Sequence, residues 1–514
     1  MSRPLRLVGS TLLSAALFAT AFPPLRLRAN AWLALVPFVV ALRGTSIRAA
    51  VGLGWLWSVA AAYAVGQWLP RAVAHYYQQP QIVGALVFLV VASTMAAPYT
   101  IAFALAGRML LRRVSPLSPV LVGAAWTAAE LARGRLFTGS PFFIGNPWAL
   151  LGYSQVGWAP ITQLASVTGI YGVTFVVAVM NAALAQLWVT RGSSAAHGIA
   201  LAAGIAGAVV LHGIGALRAG PAAEATVPAT PVAIVQADLD LGPQWQPAFY
   251  GRNLDVYLGY TGQAIAAHHP AIVFWPEGTM TFFLEDEPLY RQTIAHTLGP
   301  ARVQLVAGGP RSVGTNPPRY MNGIFALSPE GTILGHYDKQ YLVPFAEYFP
   351  IAGIDFLRRK FERVRVFTAG DPTPPLPTAA GGAGVVTCNE AMLPEIVARR
   401  VVDGAAYLVN PTNDSWLADR TYSELQFDIV TMRAIEQRRY LVRASTSGPS
   451  AIIDPWGRIQ VRTEPLSSGV IAGTVRPRSD RSVYSHVGDA FGLACALATI
   501  LGLRGRVVAR PPSC

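Results

Sequence analysis

Long apolar runs dominate the first part of the chain, and short β-branched runs separated by turn residues dominate the remainder. The apolar runs lie near Leu7–Phe22, Ala31–Leu42, Ala49–Gln67, Ile82–Gly107, Leu117–Leu131, Ile161–Val189 and His197–Leu217, with a last one near Val487–Leu503. A helix that crosses a bilayer needs about 20 mostly apolar residues, within a range of roughly 17–25. The pattern therefore predicts a membrane α-helical bundle of about eight transmembrane helices. The second run is short, and the fifth carries Glu130. The first run, preceded by Arg3 and Arg6, also has the make-up of a signal peptide, but further spans come directly after it.

The pattern changes at Ala219–Pro231, a stretch rich in Ala, Pro and Thr that reads as a linker. Beyond it, strand-like runs occur at Val232–Gln236, Ala271–Trp275, Gln304–Gly308, Gly323–Leu327, Gly384–Thr387, Ala406–Asn410, Leu441–Ser445 and Ser450–Ile453. Helical patterns alternate with several of them, at Tyr250–His268, Pro394–Asp403 and Glu424–Arg438. Such alternation predicts an α/β layered domain. Asp371–Pro377 and the run Gly381, Gly382, Gly384 read as loop. The organisation expected is a helical bundle over 1–217, an α/β domain over 218–486, and a terminal helix with a short tail over 487–514.

Composition supports the membrane reading. Of 514 residues, 52% are hydrophobic and 13% charged, about half the charged share usual in a soluble domain. The net charge of +13 comes from Arg scattered between apolar runs. No basic stripe interleaved with aromatics is present, so a nucleic-acid partner is not expected. Placing both termini in the cytoplasm puts Arg3, Arg43, Arg108, Arg112 and Arg504 on that side and the segment Arg218–His486 on the other. Arg26 and Arg28 run against this bias. The three cysteines, Cys388, Cys495 and Cys514, are too few for a disulfide framework.

Three motifs in the α/β part carry candidate chemistry. Phe274-Trp275-Pro276-Glu277 places a carboxylate where a strand ends. Tyr337-Asp338-Lys339-Gln340-Tyr341 places a lysine, scarce in this chain, in an aromatic and proline-bounded loop that continues to Glu347. Val385-Val386-Thr387-Cys388-Asn389-Glu390 places a thiol between a strand end and a helix start, where backbone N–H groups favour a thiolate. Taken singly, Glu277 could be a helix N-terminal acid and Cys388 a small core residue. Together they suit acyl transfer: Cys388 as nucleophile, Glu277 as general base, Lys339 as a donor to the tetrahedral oxyanion. No histidine competes for the base role, since His268, His269 and His296 lie in helix-like runs. No metal-ligand spacing occurs, and no cofactor is expected.

In this order the motifs resemble the nitrilase superfamily, whose members use a Glu-Lys-Cys triad on an α-β-β-α sandwich. Asn410-Pro411-Thr412-Asn413-Asp414-Ser415-Trp416 and Met432-Arg433-Ala434-Ile435-Glu436 add to the likeness. Trp126, Glu130, Thr138-Gly139-Ser140-Pro141, Asn146-Pro147-Trp148, Tyr341-Leu342-Val343-Pro344-Phe345 and Ile453-Asp454-Pro455-Trp456-Gly457 resemble the apolipoprotein N-acyltransferases. That resemblance implies a ping-pong enzyme of the bacterial inner membrane, multi-pass and monomeric, with its catalytic domain on the periplasmic side. A phospholipid is the acyl donor, a thioester on Cys388 the intermediate, and the α-amino group of a diacylated apolipoprotein the acceptor. Carried over residue by residue, it assigns supporting or substrate-binding roles to Glu347, Glu390, Asn322, Trp245 and Trp416. Phe282, Phe283 and Phe349 join Trp416 as aromatics expected at the mouth of the site.

The chain departs from the family pattern at Asn389, where Tyr is frequent. It also departs at Leu417–Tyr422, which lacks a Gly-Pro pair, and at Ser445–Gly448, which lacks the common Asn. Two rival readings are a membrane-anchored amidase that passes its acyl group to water, and a transport or scaffold bundle with a dead hydrolase-like domain. Multiple spans argue against the first. The intact triad residues and the shortage of intramembrane charge argue against the second.

Overall fold

A computed structural model describes residues 2–112, 115–136, 146–190, 192–239, 247–349, 366–417 and 419–508. The described residues form two compact units, one within 2–218 together with 486–508, the other within 219–485.

The first unit is helical. Among the described residues, Ile47–Val65, Ile170–Thr190 and Ser193–Ala222 are long and apolar enough to cross a membrane. Gln81–Met95 and Ala97–Leu110 make a fourth span if the pair, bent by 44°, counts as one. This is fewer than the eight that the apolar runs predict. The run Ala31–Leu42 breaks into a 3-10 turn, Arg28–Trp32, and a seven-residue helix, Val36–Leu42. The run from Ile161 is interrupted at Gly169, whose φ of 65° ends one short helix before Ile170 starts the long one. Pro98 lies in the first turn after the bend in the pair, where its missing N–H and its ring interrupt the ladder. Ser118–Arg135 carries Glu130, Arg133 and Arg135 and so fails on charge. Glu130 is nonetheless buried and satisfied, accepting from Leu151 N at 2.8 Å and Thr174 Oγ1 at 2.8 Å.

The second unit holds two six-stranded sheets. The first comprises β1 (Thr230–Gln236), β2 (Ile272–Phe274), β3 (Gln304–Val313), β4 (Arg319–Leu327), β5 (Ile333–Asp338) and β12 (Gly469–Val475). The second comprises β6 (Leu376–Thr378), β7 (Gly381–Val385), β8 (Tyr407–Thr412), β9 (Leu441–Ser445), β10 (Ala451–Ile453) and β11 (Ile459–Arg462). The spatial orders are β12-β1-β2-β3-β4-β5 and β11-β10-β9-β8-β7-β6. The β1-β2-β3 and β7-β8-β9 cores are parallel, and the flanking pairs are antiparallel.

Strand side chains alternate between faces with period two, and both faces of each sheet are covered. Val232, Ile234, Phe274 and Ile324 meet Val385, Tyr407, Val409 and Val442 in one core between the sheets. Ala233, Val235, Val273 and Leu305 face the other way, under Leu254 and Tyr257 of helix Pro247–His268 and Ile294 and Leu298 of helix Pro288–Leu298. Leu408, Leu441 and Ile453 lie under Val397 of helix Pro394–Val402 and Phe427 and Val430 of helix Arg420–Gln437. The unit is thus an α-β-β-α sandwich. Double coverage explains why its central strands read as near-continuous apolar runs.

Two stretches differ from their reading in sequence. The segment taken as a linker is helical only at its start, up to Glu224, because Ser193–Glu224 runs on into its Ala-rich part. The pieces taken as loop at 371–384 include a hairpin in which Leu376, Pro377 and Thr378 pair with Ala383, Gly382 and Gly381. β6 is an edge strand, where proline is tolerated because one side of the strand needs no partner.

Candidate active site

Three strand ends and one turn bring the predicted residues together. Glu277 follows β2 by three residues, Lys339 follows β5 directly, and Cys388 opens a short 3-10 turn, Cys388–Met392, after β7. Asn322 lies within β4, and its carbonyl accepts from Lys339 N at 2.9 Å, so the sheet itself sets these two side by side. Gly308 in β3 lets the Glu277 segment lie close. A Cβ there would meet Gly278 N at 2.6 Å and Glu277 Cα at 2.7 Å.

The side chains form a closed ionic knot. Lys339 Nζ donates to Glu277 Oε1 at 3.3 Å and to Glu347 Oε1 at 2.9 Å, and lies 2.8 Å from Glu347 Oε2. Asn322 Nδ2 donates to both carboxylates, at 2.7 Å to Glu277 Oε1 and 2.9 Å to Glu347 Oε1. Asn413 N donates to Glu277 Oε2 at 2.8 Å, and Val343 N to Glu347 Oε2 at 2.8 Å. Lys339 is 1% exposed, Glu277 6%, Cys388 4% and Glu347 8%. Buried charges persist only when paired and hydrogen-bonded, and every charge in this knot is.

The electrostatics follow from that burial. Desolvation works against the Lys339 ammonium, but Glu277 and Glu347 outweigh it and hold its pKa well above the ordinary lysine value. Lys339 is therefore a fixed cation. The Cys388 thiol is pushed far up, first by burial and then by Glu277, while Lys339 pulls it down. Burial and the nearby carboxylates thus favour the neutral thiol over the thiolate.

Glu390 plays a different part. It accepts from Gln340 N at 2.8 Å, Tyr341 N at 3.0 Å, Thr387 N at 2.7 Å and Tyr337 Oη at 2.9 Å. It ties the loop that carries Lys339 to the turn that carries Cys388. Burial raises its pKa, with Lys339 and the backbone donors opposing. Trp416 is half-buried beside Tyr422, with ring centroids 6.3 Å apart. Trp245 falls outside the described residues. Phe282, expected at the mouth, is instead 1% exposed in the core with Tyr250 and Tyr290. Phe283 and Phe349 are half-buried against Tyr320 and Phe345. Among the described residues no cluster of His, Cys, Asp or Glu could hold a metal ion.

Sequence reasoning quoted Asn410 and Asp414 only as part of a motif and gave no role to them, to Gln426 or to Arg443, all of which are buried. Asp414 Oδ1 accepts from Ser445 Oγ, Ser447 N and Gly448 N at 2.7, 3.1 and 2.8 Å. A Cβ at Gly448 would stand 1.8 Å from Asp414 Oδ2, so the turn after β9 requires glycine. A strand-end run of Asn and Asp beside a short-side-chain turn was the available signal.

Residues 232–483 match the family model for carbon-nitrogen hydrolase, so the two-sheet unit with its acid, lysine and cysteine is a carbon-nitrogen hydrolase domain. Residues 14–183 match the apolipoprotein N-acyltransferase N-terminal domain. The chain is 31% identical to the apolipoprotein N-acyltransferase of Geobacter metallireducens, over 94% of this chain and 92% of that protein. It is 30% identical to that of Caulobacter vibrioides, over 90% of this chain and 87% of that protein. The chain belongs to the apolipoprotein N-acyltransferase family. Among solved structures, a mutant amidase from Nesterenkonia sp. AN1 covers 51% of this chain and 97% of its own at 17% identity and a TM-score of 0.37. That likeness carries no weight beside the sequence matches.

Proposed function

We propose that this chain N-acylates apolipoproteins through a thioester on Cys388. In the first half-reaction Glu277 takes the thiol proton as sulfur attacks an ester carbonyl of a phospholipid. The tetrahedral oxyanion is met by the Lys339 ammonium. The acyl C–O bond breaks, Glu277 returns its proton to the leaving alkoxide, and a lysophospholipid departs. In the second half-reaction the α-amino group of a diacylglyceryl-cysteine attacks the thioester. Glu277 receives the amine proton, the C–S bond breaks, and the proton returns to the sulfur. Asn322 and Glu347 hold Glu277 and Lys339 in place, and Glu390 holds the two loops together. Trp245 and Trp416 are assigned to the substrate side.

The observation that carries this reading is the buried knot of Lys339, Glu277, Glu347 and Asn322, whose charges are coupled to the buried thiol of Cys388. A fixed cation poised for an oxyanion and a carboxylate that must take up a proton are the two needs of thioester chemistry. The apolar runs of the sequence and the Arg bias support a multi-pass protein of the bacterial inner membrane, with eight spans and the hydrolase domain on the periplasmic side. The test is to incubate the full chain with phospholipid vesicles and a diacylated lipopeptide. A third acyl chain on the peptide is expected by mass. Release of free fatty acid with the peptide unchanged would make the chain a hydrolase instead.

A further inference from the structure

Arg443 lies in the middle of β9 and is fully buried, yet the acyl-transfer steps give it no task. A guanidinium has donors only, so each oxygen facing it is fixed. Nη1 donates to Asn410 Oδ1 at 2.6 Å and Thr412 Oγ1 at 3.2 Å, Nη2 to Gln426 Oε1 at 2.8 Å, and Nε to Pro449 O at 3.0 Å. Asp414 Oδ2 balances the charge at 3.7 Å. With their oxygens held by Arg443, both amides must turn their NH2 groups the other way. Asn410 Nδ2 donates to the carbonyls of Val386 at 2.7 Å and Cys388 at 3.2 Å. Gln426 Nε2 donates to Asn389 Oδ1 at 3.1 Å, which Tyr422 Oη also meets at 3.3 Å.

Cys388 itself has a φ of 51°. A residue with a side chain holds that left-handed conformation only where its surroundings impose it, and the carbonyl of Cys388 is one of the groups Asn410 holds. We propose that Arg443 is a positioning residue for the nucleophile: by orienting Asn410 and Gln426 it locks the main chain of Cys388 and the side chain of Asn389 in the attacking geometry. The inference rests on Cys388 being the nucleophile. Charge adds to geometry. Burial, Glu277 and Glu347 push the thiol up, Lys339 and Arg443 pull it down, and Tyr422 is coupled to it as well.

The test uses the full chain in detergent with a phospholipid donor. Arg443→Lys keeps a cation but loses the planar fork that reaches two amides. Single-turnover acylation of Cys388 should slow by about 10²-fold, the scale of a small misplacement of a reacting group, with donor binding unchanged. Iodoacetamide alkylation of Cys388 should keep its parent pH profile in Arg443→Lys and move to higher pH in Arg443→Met, which loses the charge as well. Asn410→Asp still accepts from Arg443 but cannot donate to the Cys388 carbonyl. It should slow acylation alike, and it keeps the question open to test if Arg443→Met does not fold. Parent-rate acylation in both Arg443→Lys and Asn410→Asp, or a loss explained wholly by weaker donor binding, would overturn the positioning role. Cys388→Ala separates the two claims: an acyl adduct that persists there refutes the nucleophile, whereas its disappearance leaves any failure to Arg443 alone.

Discussion

At the residue scale, Lys339 and Glu277 share a hydrogen bond, but the proposed mechanism uses them at different moments. Glu277→Gln removes the proton acceptor and keeps the shape, so Cys388 acylation should fall by about 10²–10⁴ while donor binding persists. Lys339→Arg keeps the charge, but its larger planar fork cannot sit between Glu277, Glu347 and a forming oxyanion in a space where lysine is 1% exposed. Its acylation should fall by about 10²–10³. Single-turnover kinetics beside a binding assay checks both, and a Lys339→Arg enzyme at the parent rate would show that any cation suffices. These residues were legible in the sequence because each interrupts a pattern: a carboxylate, a rare lysine and a thiol stand where strands end. Arg443 was not legible. In Leu441–Ser445 it looks like the polar, outward member of an alternating strand, and only the fold reveals that helix Arg420–Gln437 covers that face. Asn410 and Gln426 were hidden for the same reason, since the orientation of an amide depends on a partner far away in sequence.

At the element scale, the start of the helix that follows Trp416 is fixed by a local cap. Asp419 is the N-cap of helix Arg420–Gln437, its Oδ1 accepting from Thr421 N at 2.9 Å and Tyr422 N at 3.1 Å. That helix carries Tyr422 and Gln426 to Asn389. Asp419→Ala should cost about 1 kcal/mol of stability, read as a lower thermal midpoint of the full chain in detergent. An unchanged midpoint would mean that packing alone fixes the helix start. Most central strands and long helices were readable from periodicity. β5, β6, β11, β12 and helix Pro288–Leu298 were not. β5, β6, β11 and β12 lie at sheet edges, where one side is unpaired and burial is partial, so their apolar signal is weak. β12 carries Gly469 and Gly473, and β6 carries Pro377, residues that ordinarily argue against a strand.

At the scale of the whole molecule, the chain joins a helical unit to a hydrolase sandwich. Apolar content marked the membrane part plainly, but helix number was not readable from runs alone. Short helices, a bend and a glycine break divide runs that look continuous in sequence. Reporter fusions after Arg191 and after Thr230 should report opposite sides of the membrane, and signals from one side would contradict the proposed topology. The central claim is that one sulfur carries the acyl group from lipid to protein. Its most direct test is the intact mass of the full chain after exposure to phospholipid, followed by a chase with diacylated lipopeptide. The account predicts one acyl adduct, mapped to Cys388, absent from Cys388→Ala and retained in Cys495→Ala. The adduct should vanish in step with a third acyl chain appearing on the peptide. An adduct that persists in Cys388→Ala, or peptide acylation that proceeds without any adduct on the chain, would contradict it.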